Sequence, residues 1–169
     1  MTDPSPLPET PATDARAGRL VVGVGSELRR DDAAGRRVAD AIAARRMEDV
    51  EVRSVHQLTP ELALDIDDRR LVVFVDASVD VTELTVREIV DDVAGPAGSH
   101  HVDPPALLAL AARLGHAPDR VMVVHVPVTD LGLGLELSPT ASREVARAVE
   151  TVIELLHPSR WCAGAGGAG

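Results

Sequence analysis

The feature of this chain that most restricts its fold is an alternation of short β-branched runs with helical patterns. Apolar runs such as RLVVGVG, VEVRSV, LVVFVDA and RVMVVHVPV are separated by segments of helical periodicity. Strands that alternate with helices build βαβ units, in which helices cover both faces of a parallel sheet. The run LTVREIV alternates more evenly and follows its predecessor after a short turn, which predicts an antiparallel or edge strand. We predict an α/β fold, a three-layer αβα sandwich with a twisted, mostly parallel sheet of about five strands.

Two of the expected helices are marked by their ends. The segment DPPALLALAARLG opens with Asp103 as a cap and ends at Gly115, and a second helix opens with Ser138 as a cap and Pro139 in its first position. This last helix carries one apolar stripe, formed by Val145, Val149, Val152, Ile153 and Leu156.

The ends of the chain differ in composition from the segment between them. Residues 1–18 are rich in Pro, Thr, Ser and Asp without an apolar period, which predicts a disordered leader, and residues 158–169 are expected to form a disordered tail. The segment 19–157 is long enough for one well-buried core and too short for two. We therefore predict a single domain over 19–157.

Charge and apolar content exclude several functions. The formal net charge of −10 argues against a general nucleic-acid binder, because a phosphate backbone is bound by a concentrated basic face. No segment approaches the roughly 18 to 20 apolar residues that cross a bilayer, and the N-terminus lacks the pattern of a signal peptide. We expect a cytoplasmic protein with neither a nucleic-acid partner nor membrane insertion.

Missing residue types restrict the chemistry further. Cys162 is the single cysteine, so an intrachain disulfide, a cysteine metal cluster and a CxxC redox pair are excluded. The sequence has no lysine, which excludes Schiff-base chemistry and the P-loop lysine. Carboxylates, histidines, arginines, hydroxyls or a borrowed metal remain.

Two adjacent acids follow the first predicted strand, where ligands bind beyond the carboxyl ends of α/β sheets. The loop resembles a nucleotide-binding turn, but a dinucleotide fingerprint requires glycine where this chain has Leu28, and it does not place Asp31 and Asp32 against a pyrophosphate. A second interpretation is that these acids cap the helix that begins near Ala33. One acid can cap while its neighbour faces the crevice.

Asp76 and a histidine pair complete the candidate site. Asp76 is expected to end the apolar strand 71–75, where an unpaired charge is unfavourable unless it binds something, although it can also turn the loop that follows. His100 and His101 precede a helix, and loop histidines are commonly only solvated. Two carboxylates and an imidazole on one rim would suit a borderline divalent cation and leave positions open for water or substrate.

The motifs GxGxxLxxDDxxG, VDA, HxVxPxxLL and LSP, in this order, resemble those of the hydrogenase maturation endopeptidases. The likeness covers about residues 19–156. It implies a three-layer α/β enzyme that removes the C-terminal extension of a nickel-iron hydrogenase large-subunit precursor after nickel insertion. Nickel would be recognised in the precursor and supplied by it, with no organic cofactor. One substrate per monomer is the simplest arrangement, and we expect a monomer.

The resemblance also assigns roles to residues. It places the metal-recognising ligands at Asp32, Asp76 and His100, with His101 as a substitute, and makes Asp32 and Asp76 the candidate catalytic acids. The peptide cleft would involve Gly25, His56 and Thr59 as substrate-binding residues. The chain departs from the family pattern at HQLT, residues 56–59, where the family often has Asp-Gly-Gly-Thr.

The residue types present favour catalysis by a metal or a carboxylate over a covalent nucleophile. The metal, or a nearby carboxylate such as Asp31, would activate water or polarise the scissile carbonyl. No Ser-His-Asp or GxSxG arrangement is visible, which argues against an acyl-enzyme. An alternative function is a non-proteolytic nickel-checkpoint or accessory protein that binds the hydrogenase large subunit without cutting it.

Overall fold

The computed structural model describes residues 18–90, 102–115 and 117–157. The strands are β1 Arg19–Val24, β2 Val50–Val55, β3 Leu71–Ser78, β4 Thr85–Ile89 and β5 Val121–Pro127. The helices are α1 Ala34–Ala44, α2 Leu62–Ile66, α3 Pro104–Leu114 and α4 Pro139–Leu156, and a short 3₁₀ helix, Arg30–Ala33, precedes α1. The α/β class predicted from the alternating pattern is confirmed.

The five strands form one sheet in the order β2-β1-β3-β5-β4. The pairs β1–β2, β1–β3 and β3–β5 are parallel, and β4 lies antiparallel to β5 at the edge. The expectation of about five strands is therefore confirmed, and so is the expectation for LTVREIV. The chain moves outward from β1 to β2 and then crosses back to β3 on the other side of β1, so the connections change direction between β1 and β3.

Helices cover both faces of the sheet. Apolar residues of α1 and α4 pack on one face, with Val38, Ile42, Val149 and Val152 in the core. Residues of α2 and α3 cover the other face, where Phe74 is the largest fully buried side chain. The predicted stripe of α4 is confirmed, because Val149, Val152 and Leu156 are buried and Val145 and Ile153 pack against the same core.

The predicted helix ends are also confirmed. The Asp103 side chain accepts a hydrogen bond from the Ala106 amide at 2.8 Å, and Gly115 is the C-terminal cap of α3. The Ser138 hydroxyl accepts from the Ala141 amide at 3.1 Å, with Pro139 in the first turn of α4. Local hydrogen bonds thus set these boundaries.

One boundary differs from the expectation. Strand β3 does not end before Asp76 but continues to Ser78, because β5 keeps pairing with it through Asp76↔His125 and Ser78↔Pro127. Pairing with β1 ends earlier, at Gly23↔Val75. Asp76 therefore lies in a strand that is paired on one side and open on the other.

Several predictions fall on residues that are not described. The tail 158–169, nearly all of the leader 1–18, and both His100 and His101 lie outside the described residues. The division of the chain into leader, domain and tail stays a prediction.

Candidate active site

The candidate site lies in a crevice between the carboxyl ends of β1 and β3. After Gly23, β1 leaves β3 and follows β2, and the Gly25 amide donates to the Val55 carbonyl at 3.1 Å. The departure opens the sheet beside Asp76. This is the place where the strand connections change direction, and open α/β sheets bind their ligands there.

Asp32 is positioned by the loop that follows β1. Its Oδ2 accepts a hydrogen bond from the Ser26 amide at 2.8 Å, and its side chain is partly exposed. The bond occupies a loop amide that a nucleotide phosphate would need, which argues against the nucleotide-binding interpretation. The helix-capping interpretation fails for α1, whose N-cap is Ala33 and has no side-chain cap bond.

Two glycines allow this loop to fold against the strands. Gly25 has a φ of +139°, and a Cβ at this position would collide with the Asp32 carbonyl oxygen. A Cβ at Gly35 would collide with the carbonyls of Val24 and Val75, so the start of α1 reaches both strands only because residue 35 has no side chain. Gly25, predicted to bind substrate, thus has a structural role in placing Asp32.

Asp76 is half-buried at the open side of β3. Burial raises the pKa of its carboxyl to about 6, the Ala77 amide opposes the rise, and the nearby charge of Asp32 adds to it. The two predicted carboxylates, although far apart in the sequence, are therefore near enough in the fold for the charge of one to act on the other. A carboxyl with a pKa near 6 can exchange a proton near neutral pH.

The third predicted ligand is not part of this geometry, because His100 and His101 lie outside the described residues. Within residues 18–90, 102–115 and 117–157, no group of three His, Cys, Asp or Glu side chains could hold a metal ion. Asp32 and Asp76 offer oxygen donors suited to a divalent cation, and a nitrogen donor would have to come from elsewhere. The predicted ligand set stays a prediction.

Asp31 is separated from Asp32 by its environment. It is fully buried, and its oxygens accept hydrogen bonds from the Ser138 amide at 2.7 Å, the Ser138 hydroxyl at 2.9 Å and the Asp130 amide at 3.2 Å. The carboxylate thereby joins the loop after β1 to the start of α4. These bonds favour a structural role for Asp31 and leave Asp32 as the acid facing the crevice.

The predicted peptide-binding residues His56 and Thr59 follow β2. His56 is exposed, whereas Thr59 lies in the turn before α2: its carbonyl accepts a hydrogen bond from the Leu62 amide at 3.1 Å, and its side chain hydrogen-bonds to Glu61. A backbone hydrogen bond lowers the pKa of Glu61 below its usual range, and the bond with Thr59 lowers it further. Leu58, between them, lines the cavity that borders Asp76.

This cavity has a volume of about 340 Å³ and lies between the sheet and the start of α3. Its walls are mostly apolar, and Asp76 is on its border. It is lined by Val24, Leu58, Phe74, Asp76, Arg87, Glu88, Ile89, Val90, Pro104, Pro105, Val123 and His125. An apolar cavity beside converging polar groups is the usual form of a small binding site.

His125 is a residue of this cavity that the sequence reasoning missed. It is the register partner of Asp76 on the neighbouring parallel strand, so both side chains project from the same face. Its buried Nδ1 has no hydrogen-bond partner among the described residues. Burial, followed by the charge of Arg87, lowers the pKa of His125, and Asp80 opposes this. The signal in the sequence was a lone polar residue within an apolar strand.

Comparison with known proteins gives this architecture a class. No protein-family model matches the chain, and no curated protein sequence matches it. Several solved structures that share its fold are hydrogenase maturation endopeptidases, which are peptide hydrolases. The resemblance deduced from the sequence is thereby confirmed, together with the enzyme class to which it points.

Three solved structures illustrate the likeness. The hydrogenase-maturating endopeptidase HybD from E. coli matches with a TM-score of 0.70 at 24% identity, over 83% of this chain and 93% of that one. The hydrogenase 2 maturation peptidase from Thaumarchaeota archaeon SCGC_AB-539-E09 matches with a TM-score of 0.62 at 27% identity, over 82% of this chain and 97% of that one. An endopeptidase from Escherichia coli, whose structure was solved in solution, matches with a TM-score of 0.67 at 26% identity, over 83% of this chain and 93% of that one.

Among the helices of the described residues, none combines the length and the apolar character needed to span a membrane.

Proposed function

We propose that this protein is an endopeptidase that removes the C-terminal extension of a nickel-iron hydrogenase large-subunit precursor after nickel insertion, and that it recognises the nickel held by the precursor. The observation that carries the proposal is that Asp32 and Asp76 follow the ends of the β1–β3 pairing at the switch point of the sheet, near enough that the charge of Asp32 raises the pKa of Asp76. The similarity to solved maturation endopeptidases supports the reaction class. We place the reaction in the cytoplasm, with the precursor as partner and a monomeric enzyme.

In this proposal the two acids do different work. Asp32, held by the Ser26 amide, contributes a carboxylate oxygen to the nickel of the substrate, and His100 or His101 contributes the nitrogen ligand. Asp76 lies beside the same strand ends, and in the metal-free protein burial raises the pKa of its carboxyl to about 6, so we assign it the role of taking a proton from water or returning one to the leaving amine. Docking of the nickel fixes the neighbouring peptide bond near these groups.

The cavity beside Asp76 gives the peptide a place to bind. Its walls include Val24, Phe74 and Val123 from three parallel strands, which favours an apolar side chain of the peptide next to the scissile bond. His56 and Thr59 are close to Leu58 in the chain, and Leu58 lines the cavity, so we assign them to contacts with the same peptide.

Intact-mass spectrometry of the precursor tests the proposal. Nickel-loaded and nickel-free precursor are each incubated with the wild type and with Asp32→Ala, Asp76→Ala, His100→Ala and His101→Ala. Asp119→Ala is the matched control, because Asp119 is an exposed carboxylate at the opposite end of the sheet, before β5. A C-terminal mass loss is expected only with nickel, and it should persist in the control.

The same experiment separates the alternatives. A stable complex without mass loss under any condition would replace the protease by a nickel-checkpoint protein. Cleavage that is equally fast without nickel would retain the protease and remove the metal from recognition. Loss of cleavage in only one of the two histidine variants would identify the histidine that supplies the nitrogen ligand.

A further inference from the structure

Three leucines are exposed on the rim of the sheet that carries the crevice. Leu28, in the loop after β1, is 66% exposed, and Leu133 and Leu135, in the loop between β5 and α4, are 86% and 64% exposed. These three residues are called the leucine platform below. Single exposed leucines are ordinary, but exposed apolar residues that cluster mark surfaces that bind other proteins.

Backbone hydrogen bonds bring the platform together. The Gly134 amide donates to the Leu28 carbonyl at 3.0 Å, and the Arg30 amide donates to the Gly134 carbonyl at 2.9 Å. The two loops thus form a short parallel bridge at Arg29 and Gly134. Leu133 and Leu135 flank Gly134 in the chain, so all three leucines surround this bridge.

Buried charge holds the two loops in one arrangement. Asp31, fully buried, accepts three hydrogen bonds from Asp130 and Ser138, and the Arg30 guanidinium pairs with the Asp130 carboxylate at 2.6 Å. A carboxylate buried with this many donors is costly to displace. The loops that carry the exposed leucines are therefore held in place by these bonds. A surface that is ordered before binding loses less entropy when a partner binds.

We propose that the leucine platform docks the protein substrate, by contact with an apolar surface of the folded precursor next to the segment that is cut. The inference rests on the proposed function. Leu28 and Asp32 lie in the same short connection between β1 and α1, so a protein seated on the platform adjoins the crevice. A second copy of this chain is a poorer occupant, because each copy carries a net charge of −10 and the copies repel.

Steady-state cleavage of the nickel-loaded precursor tests the proposal through the triple variant Leu28→Ser/Leu133→Ser/Leu135→Ser. The KM should rise about tenfold or more, while kcat at saturating precursor is retained, because the platform contributes binding without touching the reacting groups. The control is Leu64→Ser/Leu114→Ser, since these leucines are 56% and 57% exposed on α2 and α3. The control should keep the wild-type KM.

A direct binding measurement keeps the inference separate from the proposed function. The Kd of the precursor for wild type and for both variants is measured by surface plasmon resonance. An unchanged Kd in the triple variant overturns the platform even if the wild type cleaves. A wild type that binds through the platform without cleaving contradicts the protease and retains the docking surface. A wild-type dimer that the triple variant dissociates would assign the platform to a second copy and overturn the proposal.

Discussion

The carboxylates of Asp32 and Asp76 lie close enough that the charge on Asp32 raises the pKa of Asp76, which burial has already moved well above its ordinary value. Asp32 lies in the short 3₁₀ helix after β1 and Asp76 in β3, so this electrostatic effect depends on the two neighbouring strands ending at the same side of the sheet. A pair of acids in which one can gain or lose a proton close to neutral pH can divide the roles of ligand and proton carrier.

Asp76 should make the stability of the metal-free protein depend on pH. Its pKa is raised from 3.8 to about 6, so folding favours the protonated carboxyl. This contribution is fully present below the ordinary pKa and is lost as the pH rises through about 6. We expect Asp76→Asn, which stays neutral, to match the wild type at about pH 4 and to exceed its free energy of unfolding by up to about 3 kcal/mol above about pH 7.

Urea denaturation at several pH values measures this difference. Asp32→Asn is the control, because it removes the smaller cause and leaves the burial of Asp76 in place, so its gain should be smaller. A stability difference between Asp76→Asn and the wild type that does not change with pH would contradict the assignment.

Substitutions of the adjacent acids Asp31 and Asp32 should have different effects, the first on stability and the second on cleavage. Asp31→Asn places an amide group against the Ser138 and Asp130 donors, and we expect a loss of roughly 2 to 3 kcal/mol in the free energy of unfolding. Asp32→Asn can still accept from the Ser26 amide, so its stability should stay within about 1 kcal/mol while precursor cleavage falls about 100-fold or more. Chemical denaturation and precursor cleavage are measured on both variants. A stable, inactive Asp31→Asn protein would move the catalytic role to Asp31.

Local signals predicted much of the fold. The caps Asp103 and Ser138 each bond to an amide three residues along, so the residues that decide those helix starts are adjacent in the sequence. The antiparallel edge strand β4 was likewise visible in its alternation. The end of the sheet near which Asp32 and Asp76 lie followed from the rule that open α/β sheets bind their ligands beyond the carboxyl ends of the strands.

Long-range contacts decided what the sequence did not reveal. The extension of β3 to Ser78 depends on β5, and the role of Asp31 depends on Asp130 and Ser138, about a hundred residues away in the chain. His125 could be noticed as a polar residue in an apolar strand. Its position beside Asp76 required the strand order and register, which the sequence pattern leaves undetermined.

Gly25→Ala should disturb the site through the backbone. The φ of +139° is unfavourable for alanine, and the added Cβ would meet the Asp32 carbonyl, so the Asp32 loop has to move. We expect a loss of about 2 kcal/mol in the free energy of unfolding and a larger loss of cleavage than that instability explains. Gly132→Ala is the control, because its Cβ would approach only the Asp130 side chain, at 3.0 Å. Equal cleavage by both variants at a temperature where both are folded would contradict this role of Gly25.

A larger side chain in the cavity should weaken peptide binding. Ile89 lines the cavity from β4, and Ile89→Phe would fill part of its volume of about 340 Å³. We expect the KM for the precursor to rise about tenfold with a smaller change in kcat, because the aromatic ring takes space that the peptide side chain needs. Val86→Phe is the control, since Val86 is on the same strand and, three residues away, projects from the other face. If both variants keep the wild-type KM, the peptide binds outside this cavity.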